Sequence, residues 1–295
     1  MTLTTLPFTD IEAFRPDWTA QFLLEYGKNT REAYASDLRI FFQWCGSVGV
    51  RAQDAVRSTC SAFCRAQVEI EQYSPSTVSR RLAAISAWFR YAEAEGFIEA
   101  NPMASVRRPR VSRESVSTGL DKTELSSLVG AAKTDSIQSY ALILLLSMNG
   151  LRISEALGIN LDDLGTERGH VTIKIRRKGG KVGVCPLNSI TAGAIAHLAA
   201  VRDDGPLFRT GEGRMTRQGS WRLVRKLAKR AMPEKAEEIH PHSFRHAFAT
   251  LSLDAGAPLH VVQDAMGHSD PRTTQLYNRS RNNLDSHPCF LLGSD

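Results

Sequence analysis

The sequence predicts a mainly α-helical chain in two domains, with a small antiparallel β-sheet confined to the second. Three observations predict it. A length of 295 residues, at about 100–200 residues per domain, suits two domains and leaves ample chain for buried cores. Apolar residues recur at helical spacing through most of the chain. One pair of alternating segments, 171–175 and 182–187, brackets a glycine-containing tip.

The first domain, residues 1–104, reads as a bundle of about four helices. One spans residues 18–26. A second follows Asn29-Thr30-Arg31-Glu32, which has the form of a capping box with Asn29 as N-cap. It carries Tyr34, Leu38, Phe41, Phe42 and Cys45 on one face and stops at Gly46. A third covers residues 54–70. The fourth starts at Ser74-Pro75, because Ser caps and Pro suits the first helical position. It buries Val78, Leu82, Ile85, Trp88 and Phe89 and ends at Gly96. The aromatics at helical spacing, Trp18, Phe41, Trp44, Trp88 and Phe89, read as core rather than as a base-stacking surface.

Residues 105–117 form a basic joint, following Asn101-Pro102. It carries Arg107, Arg108, Arg110 and Arg113 with no apolar period. Two readings stand, a solvated linker and a strap crossing a phosphate backbone.

The second domain, residues 118–295, opens with a helix capped by Asp121 and running to about Ala132. A buried helix over 136–148 follows, broken by Asn149-Gly150. The hairpin over 171–187 comes next, then helices over 189–202, 216–232, 241–255 and 258–266. Asp270-Pro271 caps a last helix that carries residues 273–279.

Composition excludes several classes. Hydrophobic residues make up 42% and charged residues 23%, an ordinary globular balance. The longest strongly apolar stretch, 140–148, falls far short of the about 20 residues a membrane span needs. No basic segment followed by an apolar run opens the chain, so no signal peptide is visible. The five cysteines are scattered and odd in number, as expected of reduced thiols in a cytosolic protein. The formal charge of +6 permits a nucleic-acid partner without requiring one. That charge is uneven: net −2 over 1–104, +3 over 105–115 and +5 over 116–295. All eight histidines lie at or after His170.

Three clusters carry chemistry. In the first, Arg152 and Glu155 stand three apart at a helix start, where a carboxylate can hold an arginine that clamps an anion. Alone, such a pair reads as a surface ion pair. In the second, His242 and Arg245 share a helix face, an imidazole to move protons beside a guanidinium to neutralise charge. His242 and His246 also have zinc spacing, but Ser243 stands where a zinc hydrolase needs Glu, and no obvious third ligand lies near. The third, from Gly267-His268 to Tyr277, places a histidine at one helix end and a tyrosine on the next helix. Alone, Tyr277 reads as a packed residue.

In combination the order Arg, Lys, His-x-x-Arg, Gly-His, Tyr resembles the tyrosine recombinase (phage integrase) family over nearly the whole chain. The resemblance is to Xer-like or small integrases, since fewer than about thirty residues precede the capped helix, too few for an arm-binding domain. It implies a SAM-like, helical core-binding domain followed by a catalytic domain. It implies that Arg152 and Arg245 grip the nonbridging oxygens of the scissile phosphate and that Tyr277 attacks phosphorus to form a 3′-phosphotyrosine. It implies that Lys178 at the hairpin tip protonates the leaving 5′ oxygen; Lys174 and Lys181 are rivals for that role. His242 becomes the acid–base partner, His268 a phosphate ligand, and Glu155 the group that orients arginine and histidine. Relatives often have Leu where Met266 stands and Ser where Ala247 stands; neither departure touches a catalytic group.

The implied reaction needs no metal, nucleotide or other cofactor. The implied partners are a double-stranded DNA core site and a homo-tetramer on two duplexes, with a second recombinase and an accessory directionality factor as further candidates. Phosphate contacts are expected from the joint, from Arg176, Arg177 and Lys181 at the hairpin, and from Arg222, Arg225, Lys226, Lys229 and Arg230, which recur at helical spacing with no acid between them. The apolar tail Phe290-Leu291-Leu292 reads either as packing on its own domain or as docking on a neighbouring subunit. The competing functions are a type IB topoisomerase-like enzyme, a non-catalytic DNA-binding regulator and a metal-dependent nuclease.

Overall fold

A computed structural model describes residues 16–110, 119–177, 180–200, 202, 204–211 and 213–267. The chain divides into two compact units, Met1–Ser112 and Arg113–Asp295. Among the described residues no helix is long and apolar enough to cross a membrane.

The first unit is helical. It comprises α1 (Pro16–Leu24), α2 (Lys28–Ser47), α3 (Arg57–Arg65) and α4 (Pro75–Ala94). Ser74 caps α4 through the Thr77 amide, with Pro75 in the first turn, as the sequence predicts. The core is aromatic: Phe22, Phe41, Phe63, Trp88 and Phe89 are fully buried, and Trp88 stacks on Trp18 at 4.5 Å. The Trp88 indole N–H donates to Thr19 Oγ1 at 3.0 Å, so the largest core residue leaves no polar orphan. Cys45, Cys60 and Cys64 belong to this core, and burial pushes the Cys45 and Cys60 thiols up to about 12.

Two expectations fail here. Asn29 is not the N-cap of α2; Gly27 is, in an extended conformation and without a side-chain cap. Arg31, inside the expected capping box, instead donates from its guanidinium to the carbonyls of Leu23, in the last turn of α1, and of Tyr26, in the connection that follows. Asn29 accordingly lies inside the first turn of α2. The helix expected over 54–70 is split. A 3₁₀ turn (Ala52–Asp54) and extended Ala55 precede α3, and a π turn (Ala66–Ile70) continues it.

The second unit is built around α6 (Ile137–Met148), whose residues Leu142 to Leu146 are all buried. It is preceded by α5 (Lys122–Asp135), with a complete capping box from Asp121 and Glu124. After the short α7 (Ile153–Leu157) come β1 (Leu164–Glu167), β2 (His170–Arg176) and β3 (Val182–Pro186). These form an antiparallel sheet in the order β1-β2-β3, with Ile173 opposite Cys185. Then follow α8 (Ser189–Ala199), a two-residue ribbon of β4 (Arg209–Thr210) and β5 (Gly213–Arg214), α9 (Arg217–Ala231), α10 (Pro241–Asp254) and α11 (Leu259–Met266). β1, β4 and β5 are not predicted by the sequence. β1 turns into β2 through Arg168 and Gly169, both at positive φ, the two-residue geometry that suits hairpin twist.

Candidate active site

The site begins where α6 stops. Gly150 reverses the chain at φ 61°, a conformation that favours glycine. A Cβ there would also overlap the Phe248 ring from α10. Asn149 fixes the turn laterally, donating from Nδ2 to the Pro186 carbonyl at 2.8 Å and so tying it to β3.

The reversal delivers Arg152 to the N-cap of α7. Glu155, one turn on, accepts from the Arg152 amide at 2.8 Å and from Arg152 Nη1 at 2.8 Å. Its Oε2 also lies 3.9 Å from Arg245 Nη1. One carboxylate, only 4% exposed, thus sits between two guanidiniums. Arg245 projects from α10 and is 1% exposed, whereas the Arg152 side chain is 35% exposed. Burying Arg245 is tolerable because both of its terminal nitrogens are engaged: Nη1 donates to the Gly150 carbonyl and Nη2 to the Met266 carbonyl, each at 2.5 Å. Arg152 Nη1 reaches that same Met266 carbonyl at 3.4 Å. The cluster holds two positive groups against one negative group, so it favours a bound anion.

His242 stands on α10 one turn before Arg245. Its ring meets His246 edge to face at 5.8 Å between centroids. The side chain is exposed, yet the surrounding protein desolvates it, and Arg245, His240 and Arg152 add positive charge. In that order these causes hold its pKa below the ordinary histidine value, so it is a neutral proton acceptor near neutrality. Among the described residues no group of three or more His, Cys, Asp or Glu is placed to hold a metal ion.

Of the residues predicted to act together, Arg152, Glu155, His242 and Arg245 are assembled. Lys178, His268, Tyr277 and Arg113 lie outside the described residues, as do the expected Asp270-Pro271 cap and the 290–292 tail. Lys174 lies on β2 and Lys181 just before β3, at the turn end of the hairpin, both exposed. Arg107, Arg108 and Arg110 are exposed at the end of the first unit.

The basic residues of the second unit are more committed than their sequence suggests. Arg176 pairs with both oxygens of Asp163 at 3.1 and 3.2 Å. On α9, Lys226 and Arg230 converge on Asp135 at 2.6 and 2.9 Å. The hydrogen bonds from Lys226 and Ser139 hold the Asp135 carboxyl below its ordinary range. Arg225 pairs with Glu237 at 2.9 Å and lies over the Trp221 ring at 4.5 Å. Lys229 is 3.9 Å from Glu237. Arg222 is exposed and has no hydrogen bond or ion pair among the described residues. Sequence reasoning did not reveal two backbone carbonyls, Gly150 and Met266, as holders of the arginines; only the glycines at 150 and 267 hint at close approach.

Comparison with known proteins bears on this arrangement. The profile described as "Phage integrase family" matches residues 119–283, and "Phage integrase, N-terminal SAM-like domain" matches residues 17–96. The chain is 31% identical over 280 residues to the tyrosine recombinase XerD of Shewanella oneidensis, covering 90% of each protein. It is 31% identical over 278 residues to the tyrosine recombinase XerC of a Roseiflexus species, covering 88% of this chain and 86% of the relative. A solved structure of the XerH site-specific recombinase bound to a palindromic difH substrate, a post-cleavage complex, shares the fold. Its TM-score is 0.71 at 20% identity, over 91% of this chain and 81% of that one.

Proposed function

Because the chain belongs to the phage integrase family of tyrosine recombinases, we propose that its second unit cuts and rejoins duplex DNA through a 3′-phosphotyrosine at Tyr277. The chain is a DNA strand-exchange enzyme, and site-specific recombination is its activity. The observation that best supports the assignment of roles is the Glu155 carboxylate held between Arg152 and Arg245.

Arg152, the more open of the two, and Arg245 bind the nonbridging oxygens of one phosphodiester. Glu155 fixes Arg152 and cancels one of the two positive charges, while the Gly150 and Met266 carbonyls fix Arg245. Tyr277 Oη attacks phosphorus and gives its proton to neutral His242. The bond to the 5′ oxygen breaks, and Lys178 supplies the proton that this oxygen needs to leave. His268 donates a hydrogen bond to the developing charge. The phosphotyrosine conserves the bond energy, so a second 5′ hydroxyl reverses the same steps and reseals DNA. Charge stabilisation by fixed donors of this kind is worth about 10²–10³ in rate per donor. The two guanidiniums supply the charge compensation that a divalent ion supplies elsewhere.

The partner is a double-stranded core site. Exchange between two duplexes, whether in integration, excision or dimer resolution, passes through a Holliday junction and calls for four copies of the chain. The 290–292 tail is the candidate link between copies. The site of action is the cytoplasm, on chromosomal or element DNA. Covalent trapping tests the reading: wild type incubated with a nicked duplex library yields a protein–DNA adduct stable to denaturant, and Tyr277→Phe yields none.

A further inference from the structure

The last turn of α11 gathers three arginines. Its final carbonyls sit at the negative end of the helix dipole, and of those at 264–266 the Gly267 amide donates to Asp264 O, at 3.0 Å. Met266 O accepts from Arg152 and Arg245, the pair assigned to the phosphate. The two preceding carbonyls go to a third residue: Arg177 donates from Nη1 to Asp264 O and from Nη2 to Ala265 O, each at 3.1 Å. Arg177 arrives from the sheet, 87 and 88 residues away in sequence.

Its place is built on both sides. At Gly183 on β3, an added Cβ would come within 3.1 Å of Arg177 Nε. At Gly267, which ends α11 at φ 62°, an added Cβ would overlap the guanidinium itself. Two glycines therefore leave the slot through which this side chain passes. The backbone of Arg177 is fixed as well. Its amide donates to the Lys181 carbonyl at 2.8 Å, and its carbonyl accepts from the Gly180 amide at 3.2 Å.

We propose that Arg177 is a positioning residue for strand cleavage: it fastens the end of β2 to the end of α11, and the proton delivery assigned to Lys178, the next residue in the chain, depends on that anchor. The proposal rests on the reading of Lys178 as proton donor. The same helix end that holds Arg152 and Arg245 thus also anchors the residue that follows β2. A bidentate guanidinium fits two adjacent carbonyls; a lysine at 177 would supply a single point contact.

The test compares two leaving groups. Cleavage is followed in single turnover on a nicked duplex bearing the core site recovered from trapped adducts, with either the natural 5′ oxygen or a bridging 5′ sulfur. An alkyl thiol has a pKa near about 8.5, so the thiolate leaves without a proton donor. Arg177→Ala is expected to slow the oxygen substrate about 10²-fold, the cost of misplacing a reacting group by about 1 Å, and to cleave the sulfur substrate at the wild-type rate. Lys178→Ala should show the same pattern, the double variant should be no slower than Lys178→Ala, and Arg177→Lys should fall between. Equal slowing of both substrates, or wild-type rates on both, overturns the proposal, as does a Lys178→Ala enzyme that the sulfur does not rescue. Failure of the underlying reading looks different: wild type itself then forms no adduct with either duplex.

Discussion

Glu155 carries fold and chemistry in the same two oxygens. It caps α7 through the Arg152 amide and faces both guanidiniums from a nearly closed position. Removing one partner of a buried ion pair costs about 3–5 kcal/mol, because the remaining charge is stranded. Glu155→Ala is therefore expected to lower unfolding free energy by roughly that amount and to slow adduct formation. Glu155→Gln keeps one of the two accepting oxygens but not the charge, and should recover part of the stability while cleavage stays slow. Denaturant titrations and single-turnover rates check the pair; a Glu155→Ala chain of wild-type stability would contradict the account. His242 offers a second handle. Its pKa lies below the ordinary 6.5, so the neutral base persists as pH falls through that value. The acid limb of the cleavage rate, read at subsaturating DNA, should lie below pH 6.5 and vanish in His242→Gln. The same shift sets the sign for stability: the unfolded chain takes up the proton first, so stability declines as pH falls below about 6.5, down to the lowered folded value. An acid limb at or above 6.5 would remove His242 as the base.

Among elements, α9 separates what pattern announces from what packing decides. Its run of basic residues reads as one phosphate-facing surface, yet Asp135 takes Lys226 and Arg230, and Glu237 takes Arg225 and Lys229. Arg222 keeps no such partner among the described residues. Arg222→Ala should weaken duplex binding and reduce the slope of log K against log salt by about one. Arg225→Ala, which loses Glu237, the Ala236 carbonyl and the Trp221 ring, should leave the slope unchanged and lower Tm. Anisotropy titrations across a salt series distinguish them, and equal slope losses would contradict the assignment. Local chemistry made much of the rest legible. Ser74-Pro75 announces α4 and Asp121 announces α5, because a cap and its helix are neighbours in sequence. The start of α2 was hidden because Arg31 caps the preceding helix from beyond the turn. β4 and β5, two residues each, are too short for any period, and the partner of an α9 lysine stands 91 residues away at Asp135. In the site, Arg152, Glu155, His242 and Arg245 were legible as spaced side chains, whereas the Gly150 and Met266 carbonyls that hold the arginines carry no sequence signature.

At the scale of the whole molecule, a charge of +6 over 295 residues is a weak statement, and the structure divides it further. Several basic residues of the second unit are paired there with Asp135, Asp163 and Glu237, and others are gathered at one helix end. There a dipole and three carbonyls hold Arg152, Arg245 and Arg177 in one frame. The positive groups that define the site are thus structural members first, which lets them meet a phosphate without reorganising. Everything assigned to them presumes that the nucleophile is Tyr277. The most direct measurement is mass spectrometry of the trapped adduct after protease and nuclease digestion. The account predicts one modified peptide, carrying a 3′-linked nucleotide on Tyr277, and none from Tyr277→Phe. A nucleotide on any other residue, or an adduct that persists in Tyr277→Phe, would contradict it.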